Sequence, residues 1–277
     1  MSEFTEHRVP AGKLDLHVTE TGSGPVLVWL HGAGPGASGM GNFRQNLPAF
    51  RDYRNLVFDL PRFGRSDKPV LGADEYFAPY AATAIAAALG ELGASQFSVI
   101  GNSMGGATAI KLAADNPHSI DRLVLMAAVG TAPSRWEGDL PPGILKIAEW
   151  LREGTSERLI HEFAELQVYD AGVLTKELLQ ERLDAANDPE ILATNGVTNM
   201  LPGDLNPDMP KITAPTLLLW GREDKFIPLE WALNALRTIP NASLRIIPFC
   251  GHWVQFEHRE YFNTVVLEHL SQPSLAA

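Results

Sequence analysis

A single cysteine, Cys250, stands in 277 residues. One thiol cannot close an internal disulfide, so nothing in the chain calls for an oxidising compartment. Runs of Lys and Arg are lacking, and the formal net charge is −11. That balance is a poor match to nucleic acid or to an anionic membrane, and it requires any anionic ligand to be held by a local cation. No apolar stretch reaches the ~18 residues of a spanning helix. The opening Met1-Ser2-Glu3-Phe4-Thr5-Glu6 has neither the basic start nor the apolar run of a signal peptide. A cytoplasmic location is therefore expected, with no nucleic-acid or membrane partner. No Gly-Lys-Ser/Thr closes a glycine-rich segment as in a phosphate loop, and no metal-ligand spacing is apparent. No metal or organic cofactor is expected. Internal repeats and low-complexity tracts are also lacking.

Apolar residues make up 45% of the chain and charged ones 20%, enough to bury one large core with a modest insert. Residues 8–18 alternate apolar with polar, which predicts a half-exposed antiparallel hairpin. Residues 25–30, 55–59, 97–100, 122–126, 216–220 and 244–247 are short, nearly continuous apolar runs, as strands covered on both faces read. Residues 80–92, 107–114, 231–236 and 260–270 carry helical patterns between or after them. Strands alternating with helices imply an α/β fold, its central sheet mostly parallel and flanked by helices. The alternation stops in residues 132–209, where 144–151, 157–166 and 174–186 read as helices and no strand is convincing. Proline and glycine bound this stretch at Pro133, Pro141-Pro142-Gly143, Pro202-Gly203 and Pro207. The expected organisation is a core built from residues 1–131 and 210–277, with a helical lid over 132–209.

The strongest local signal is Gly101-Asn102-Ser103-Met104-Gly105-Gly106. By composition alone a G-x-S-x-G sequence turns up in about one chain in ten of this size. Here it follows a predicted strand and opens a predicted helix, the setting of the nucleophile elbow in the α/β-hydrolase fold. Glycines let the backbone segments of that turn approach, and the helix N-terminus offers N–H groups to a developing oxyanion. A serine hydroxyl is a weak nucleophile and needs a base. In this fold the acid and the histidine follow the serine, each after a late strand. Asp224 in Gly221-Arg222-Glu223-Asp224 and His252 in Cys250-Gly251-His252-Trp253 meet both conditions, with Glu223 as the rival for the acid. His7, His17, His118, His161, His258 and His269 lack this context. His31-Gly32-Ala33-Gly34-Pro35-Gly36 follows the first buried strand, where the second oxyanion donor belongs. The backbone N–H groups of Ala33 and Met104 are the candidates for the hole; a plain glycine turn is the alternative.

With these motifs in place, the sequence resembles the meta-cleavage-product hydrolases. These are α/β-hydrolases that break a carbon–carbon bond in 2-hydroxy-6-oxo-hexa-2,4-dienoates, the ring-opened products of aromatic degradation. The resemblance spans nearly the whole chain. It is most specific in His-Gly-x-Gly-Pro-Gly-Ala at 31–37, Gly-Asn-Ser-Met-Gly-Gly-Ala at 101–107 and Gly-His-Trp-x-Gln-x-Glu-His at 251–258. It implies that Asn42 and Asn102 line an inner substrate pocket, that Arg182 holds the dienoate carboxylate, and that Trp253 packs on the substrate. A guanidinium suits a carboxylate through paired hydrogen bonds, and Arg135, Arg152 and Arg158 compete for that role.

The implied partner is a small-molecule dienoate, a homo-oligomer is expected, and a biaryl-derived substrate is the working expectation. Trp136, Ile144, Ile147, Trp150, Phe163, Leu166, Val168 and Tyr169 are candidates for its pocket. A carboxylesterase and a non-catalytic binding protein of the same fold are the alternatives. One departure stands out: the family usually has Pro-Gly-Phe-Gly where this chain has Pro61-Arg62-Phe63-Gly64.

Overall fold

The computed structural model describes residues 4–134 and 138–272; Arg135 and Trp136 lie outside them. A hairpin of β1 (Thr5–Ala11) and β2 (Leu14–Thr21) leads into β3 (Val26–Leu30), β4 (Arg54–Phe58), β5 (Phe97–Asn102), β6 (Ile120–Met126), β7 (Thr216–Gly221) and β8 (Ala242–Ile247). They form one eight-stranded sheet in the order β1-β2-β4-β3-β5-β6-β7-β8. β1 and β2 pair antiparallel with each other, and β2 pairs antiparallel with β4. The other pairings are parallel. Helices make the parallel crossovers, so both faces of the central strands are covered. This is why their sequences are continuously apolar rather than alternating.

Successive residues of one strand serve opposite faces. Val28 and Leu30 of β3 join a core with α2 (Phe77–Glu91) and α3 (Met104–Asp115), together with Ala232 and Ala235 of α8 (Leu229–Thr238). Leu27 and Trp29 turn the other way, to Phe43, Phe50 and Phe262. Trp29 lies 5.1 Å from Phe43 and 5.0 Å from Phe50, ring to ring. Its indole N–H, which burial would otherwise strand, donates to Asn55 Oδ1 at 3.0 Å. Phe43 ends α1 (Gly39–Phe43) and Phe262 sits in α10 (Arg259–Ser271), preceded by the short α9 (Val254–Glu257).

Between β6 and β7 the chain leaves the sheet for α4 (Pro142–Glu153), α5 (Glu157–Gln167), α6 (Lys176–Ala186) and α7 (Pro189–Thr194). Ile160, Ala164, Leu179 and Ala186 give these helices a small core of their own. Two further ties hold them to the sheet. The Gln167 carbonyl accepts from the N–H groups of His252 at 2.9 Å and Trp253 at 3.1 Å. Gly143 N–H donates to the Lys225 carbonyl at 2.9 Å. Both ties land on the loops that follow β7 and β8, so the helices are fixed to the segments that carry Asp224 and His252.

Arg62 supplies another tie. It has φ +76°, a conformation that glycine adopts freely and a branched or bulky residue only under strain. Its guanidinium is fully buried and donates from Nη2 to Asn195 Oδ1 at 2.6 Å and from Nη1 to Thr194 Oγ1, at the end of α7. Burial pushes its pKa down to about 10. The family's usual glycine would fit this backbone without strain but would make neither bond.

Candidate active site

Ser103 joins β5 to α3 with φ +54° and ψ −113°. Only a tight enclosure holds a non-glycine residue there. A Cβ on Gly101 would come within 2.5 Å of the Gly105 carbonyl oxygen, and one on Gly105 within 2.1 Å of the Leu30 carbonyl oxygen. Glycine at both positions is what lets the turn close. Ser103 N–H donates to the Met126 carbonyl at 2.8 Å, which fixes the turn against the end of β6.

His252 Nδ1 lies 2.8 Å from Asp224 Oδ2, and both side chains are only 2% exposed. The other carboxylate oxygen accepts from the N–H groups of Phe226 at 2.7 Å and Ile227 at 3.0 Å, so Asp224 is oriented before it meets the imidazole. Glu223 faces elsewhere: it accepts from Cys250 N–H at 3.1 Å and pairs with Arg222. The Phe226 ring stacks on His252 at 4.7 Å. With Nδ1 committed to the carboxylate, Nε2 is the nitrogen available as a base. Among the described residues no hydrogen bond joins the Ser103 hydroxyl to His252. Such contacts are often long until substrate is bound.

The loop after β3 is shaped by His31. Its Nδ1 lies 2.7 Å from the Gly32 carbonyl oxygen and its Nε2 accepts from Leu60 N–H at 3.0 Å. Those partners require the neutral ring with its proton on Nδ1, and complete burial lowers its pKa. A Cβ on Gly32 would stand 3.1 Å from Ser103 Cβ, so this loop runs directly past the serine. Ala33 and Met104 both border the cavity onto which Ser103 opens. That cavity measures about 780 Å³ and includes Ile144, Ile147 and Trp150 in its wall. Phe163, Leu166, Val168 and Tyr169 do not line it, and Tyr169 is exposed.

The residues implied by the resemblance lie in a different place. Arg182, on α6, is buried. Its Nη2 donates to the Pro35 carbonyl at 2.9 Å, while Nε has no partner. The guanidinium carbon stands 4.9 Å from the Trp253 ring centre and 5.8 Å from that of Phe163. Burial pushes its pKa down to about 10, which still leaves it protonated near neutrality. Among the described residues no carboxylate pairs with it. Arg152 and Arg158 point outward and pair with Glu153, Glu149 and Glu162.

Asn102 is fully buried; its Nδ2 donates to the Met126 carbonyl at 3.3 Å and its Oδ1 has no partner. Asn42, on α1, is half-buried and borders a separate cavity of about 630 Å³ with Gln255 and Glu181. None of Asn42, Asn102, Arg182 and Trp253 lines the cavity onto which Ser103 opens. The two regions meet through an aromatic pair. Phe163, beside Arg182, packs edge-on at 5.3 Å against Phe226, which lines the cavity and stacks on His252. Sequence reasoning missed Phe226 in this place; its one signal was its position two residues after Asp224.

A family model described as alpha/beta hydrolase fold matches residues 25–259. A 2-hydroxy-6-oxononadienedioate/2-hydroxy-6-oxononatrienedioate hydrolase of Burkholderia vietnamiensis is 36% identical over 93% of this chain and 91% of its own length. A second relative of that name, from Pseudomonas putida, is 39% identical over 95% and 94%. Among solved structures, the 2-hydroxy-6-oxo-6-phenylhexa-2,4-dienoate hydrolase of a Rhodococcus species superposes with a TM-score of 0.87 at 27% identity, covering 98% of this chain and 100% of its own. A meta-cleavage product hydrolase of Pseudomonas fluorescens gives 0.84 at 26%, covering 95% and 96%.

Proposed function

The chain belongs to the meta-cleavage-product hydrolases of the α/β-hydrolase fold, and on that premise we propose that it hydrolyses the C5–C6 bond of 2-hydroxy-6-oxo-hexa-2,4-dienoates. The products are a 2-hydroxypenta-2,4-dienoate and a carboxylic acid. The observation that carries this reading over an esterase is Arg182, a buried guanidinium with a vacant donor, stacked on Trp253 beside His252. An isolated buried charge is costly, and a substrate carboxylate would compensate it through charge-assisted hydrogen bonds.

In this reading Arg182, with Asn102 and Asn42, holds the carboxylate end while the dienol is ketonised. The enol proton leaves the C2 oxygen and a proton is placed on C5, with His252 as the shuttle. Ser103, or a water that Ser103 and His252 activate, then attacks the C6 carbonyl. Its oxyanion is met by the N–H groups of Ala33 and Met104. The C5–C6 bond breaks with its electron pair delocalised toward the C2 carbonyl, which regenerates the dienol after protonation. Asp224 orients His252 and stabilises its charged form. Water supplies the acid's new oxygen, directly or by releasing the acyl group from Ser103.

A homo-oligomer located in the cytoplasm completes the proposal, and size-exclusion chromatography checks the first half of it. No described helix is long and apolar enough to cross a membrane. The experiment for the function is turnover of a synthetic dienoate, followed by loss of its visible absorbance, against turnover of a p-nitrophenyl ester. Efficient dienoate cleavage supports the reading, and ester hydrolysis with no dienoate cleavage contradicts it.

A further inference from the structure

Resting on that reading, we propose that the group beyond C6 is neutral, bulky and apolar, and that this enzyme discriminates against the carboxylate-ended chain of the dioates after which its relatives are named. The wall of the cavity at Ser103 carries Ile144, Ile147, Trp150, Leu151, Met200 and Trp231. Its volume of about 780 Å³ lies within the range of sites that engulf a ring-bearing ligand.

Beside Ser134, three polar side chains of this wall, Thr198, Asn199 and Asn206, are already bonded to the protein. Thr198 Oγ1 accepts from Leu71 N–H at 2.9 Å. Asn199 Nδ2 donates to the Ala73 and Glu75 carbonyls, and its Oδ1 accepts from Leu201 N–H. Asn206 Nδ2 donates to the Ala132 carbonyl and to Asp204, and its Oδ1 accepts from Asn234. Among the described residues the wall contains no Lys, Arg or His, and its one charged member is Asp204.

A terminal carboxylate placed here would lose hydration, find no cation among the described residues, and meet an acidic side chain in an acidic protein. A phenyl or alkyl group loses nothing polar and leaves water. The contrast with Arg182 is direct: stacked on Trp253 beside His252, it is a buried cation with no carboxylate partner among the described residues, and a mono-acid supplies one. Orientation follows from the same facts, because only one end of the substrate can be charged without cost.

The test uses the purified full chain and three dienoates that differ only beyond C6: phenyl, propyl and 2-carboxyethyl. Propyl matches carboxyethyl in reach without its charge. We expect kcat/KM for both phenyl and propyl to exceed that for carboxyethyl by about 100-fold. A carboxyethyl value within tenfold of the propyl value overturns this inference and leaves carbon–carbon hydrolysis standing. No turnover of any of the three overturns both.

Discussion

Two regions flank His252, and they differ in what they leave uncommitted. On the Arg182 side a buried guanidinium has a donor without a partner, and the buried Asn102 has an acceptor without one. On the cavity side, Thr198, Asn199 and Asn206 are bonded to the protein itself, and apart from Ser103, Ser134 and Asp204 the other side chains of the wall are apolar. Buried polar atoms are nearly always satisfied, so the vacant donor of Arg182 suits an anionic ligand group and the vacant acceptor of Asn102 a hydroxyl, whereas the largely apolar wall suits an apolar group. The Phe163–Phe226 pair stands between the two regions.

The largest effect breaks what both regions share. Ser103→Ala should lower dienoate turnover by about 10⁴-fold or more while leaving dienoate binding largely intact, read by single-turnover kinetics and absorbance titration. Near-normal turnover would remove the nucleophile from the account. Next comes the charged side alone. Arg182→Ala should cut kcat/KM for dienoates by about 100- to 1,000-fold yet change p-nitrophenyl acetate hydrolysis by less than about fivefold. Equal losses on both substrates would mean that Arg182 supports the fold and not the carboxylate.

Asp59 tests the scaffold of that side. Its carboxylate accepts from His17 Nδ1 at 2.9 Å, Gly39 N–H at 2.7 Å and Arg65 N–H at 2.9 Å, so it anchors the start of α1, which carries Asn42. Burial pulls its pKa upward, but the His17 bond and the two N–H donors outweigh that and hold it below the ordinary value. A depressed carboxylate stabilises the fold above the unfolded pKa of about 3.9, and that contribution is lost as pH falls through the lower folded value. Asp59→Asn should therefore cost about 2 kcal/mol near neutrality. In chemical denaturation at a series of pH values, the gap from wild type should close in acid. A gap that widens there would reverse the sign. The smallest effect belongs to the apolar wall: Ile147→Ala should raise KM for a 6-phenyl dienoate by roughly three- to tenfold and leave a 6-methyl one within about twofold. Parallel changes on both would place Ile147 outside the substrate's reach.

The sheet was legible because each buried strand is a short apolar run, and the positions of Ser103, Asp224 and His252 at strand ends followed from it. The three long insert helices and the four core helices were also readable from their periodicity. What was not readable depended on orientation. α1 is five residues, Gly39–Phe43, with Ser38 accepting from Gly41 N–H at its start, too short to carry a period. The sequence therefore could not show that Asn42 would border a different cavity from Ser103. α7 is also short, and its capping Asp188 is one of many acidic residues. The Arg182–Trp253 stack joins positions 71 apart, and no local rule connects them. The departure at Arg62 was visible as an oddity, but its meaning, a buried tie to Thr194 and Asn195, needed the positive φ and the end of α7 in view.

In the proposed pose, one end of the ligand goes to Arg182 and the other to the apolar cavity. The direct measurement is a crystal structure of the Ser103→Ala variant soaked with a 6-phenyl dienoate. The expected density places the carboxylate within hydrogen-bond distance of the Arg182 guanidinium, the C6 carbonyl beside residue 103, and the phenyl ring among Ile144, Ile147 and Trp150. A carboxylate lying in the apolar cavity, with the ring against Arg182 and Trp253, would contradict it.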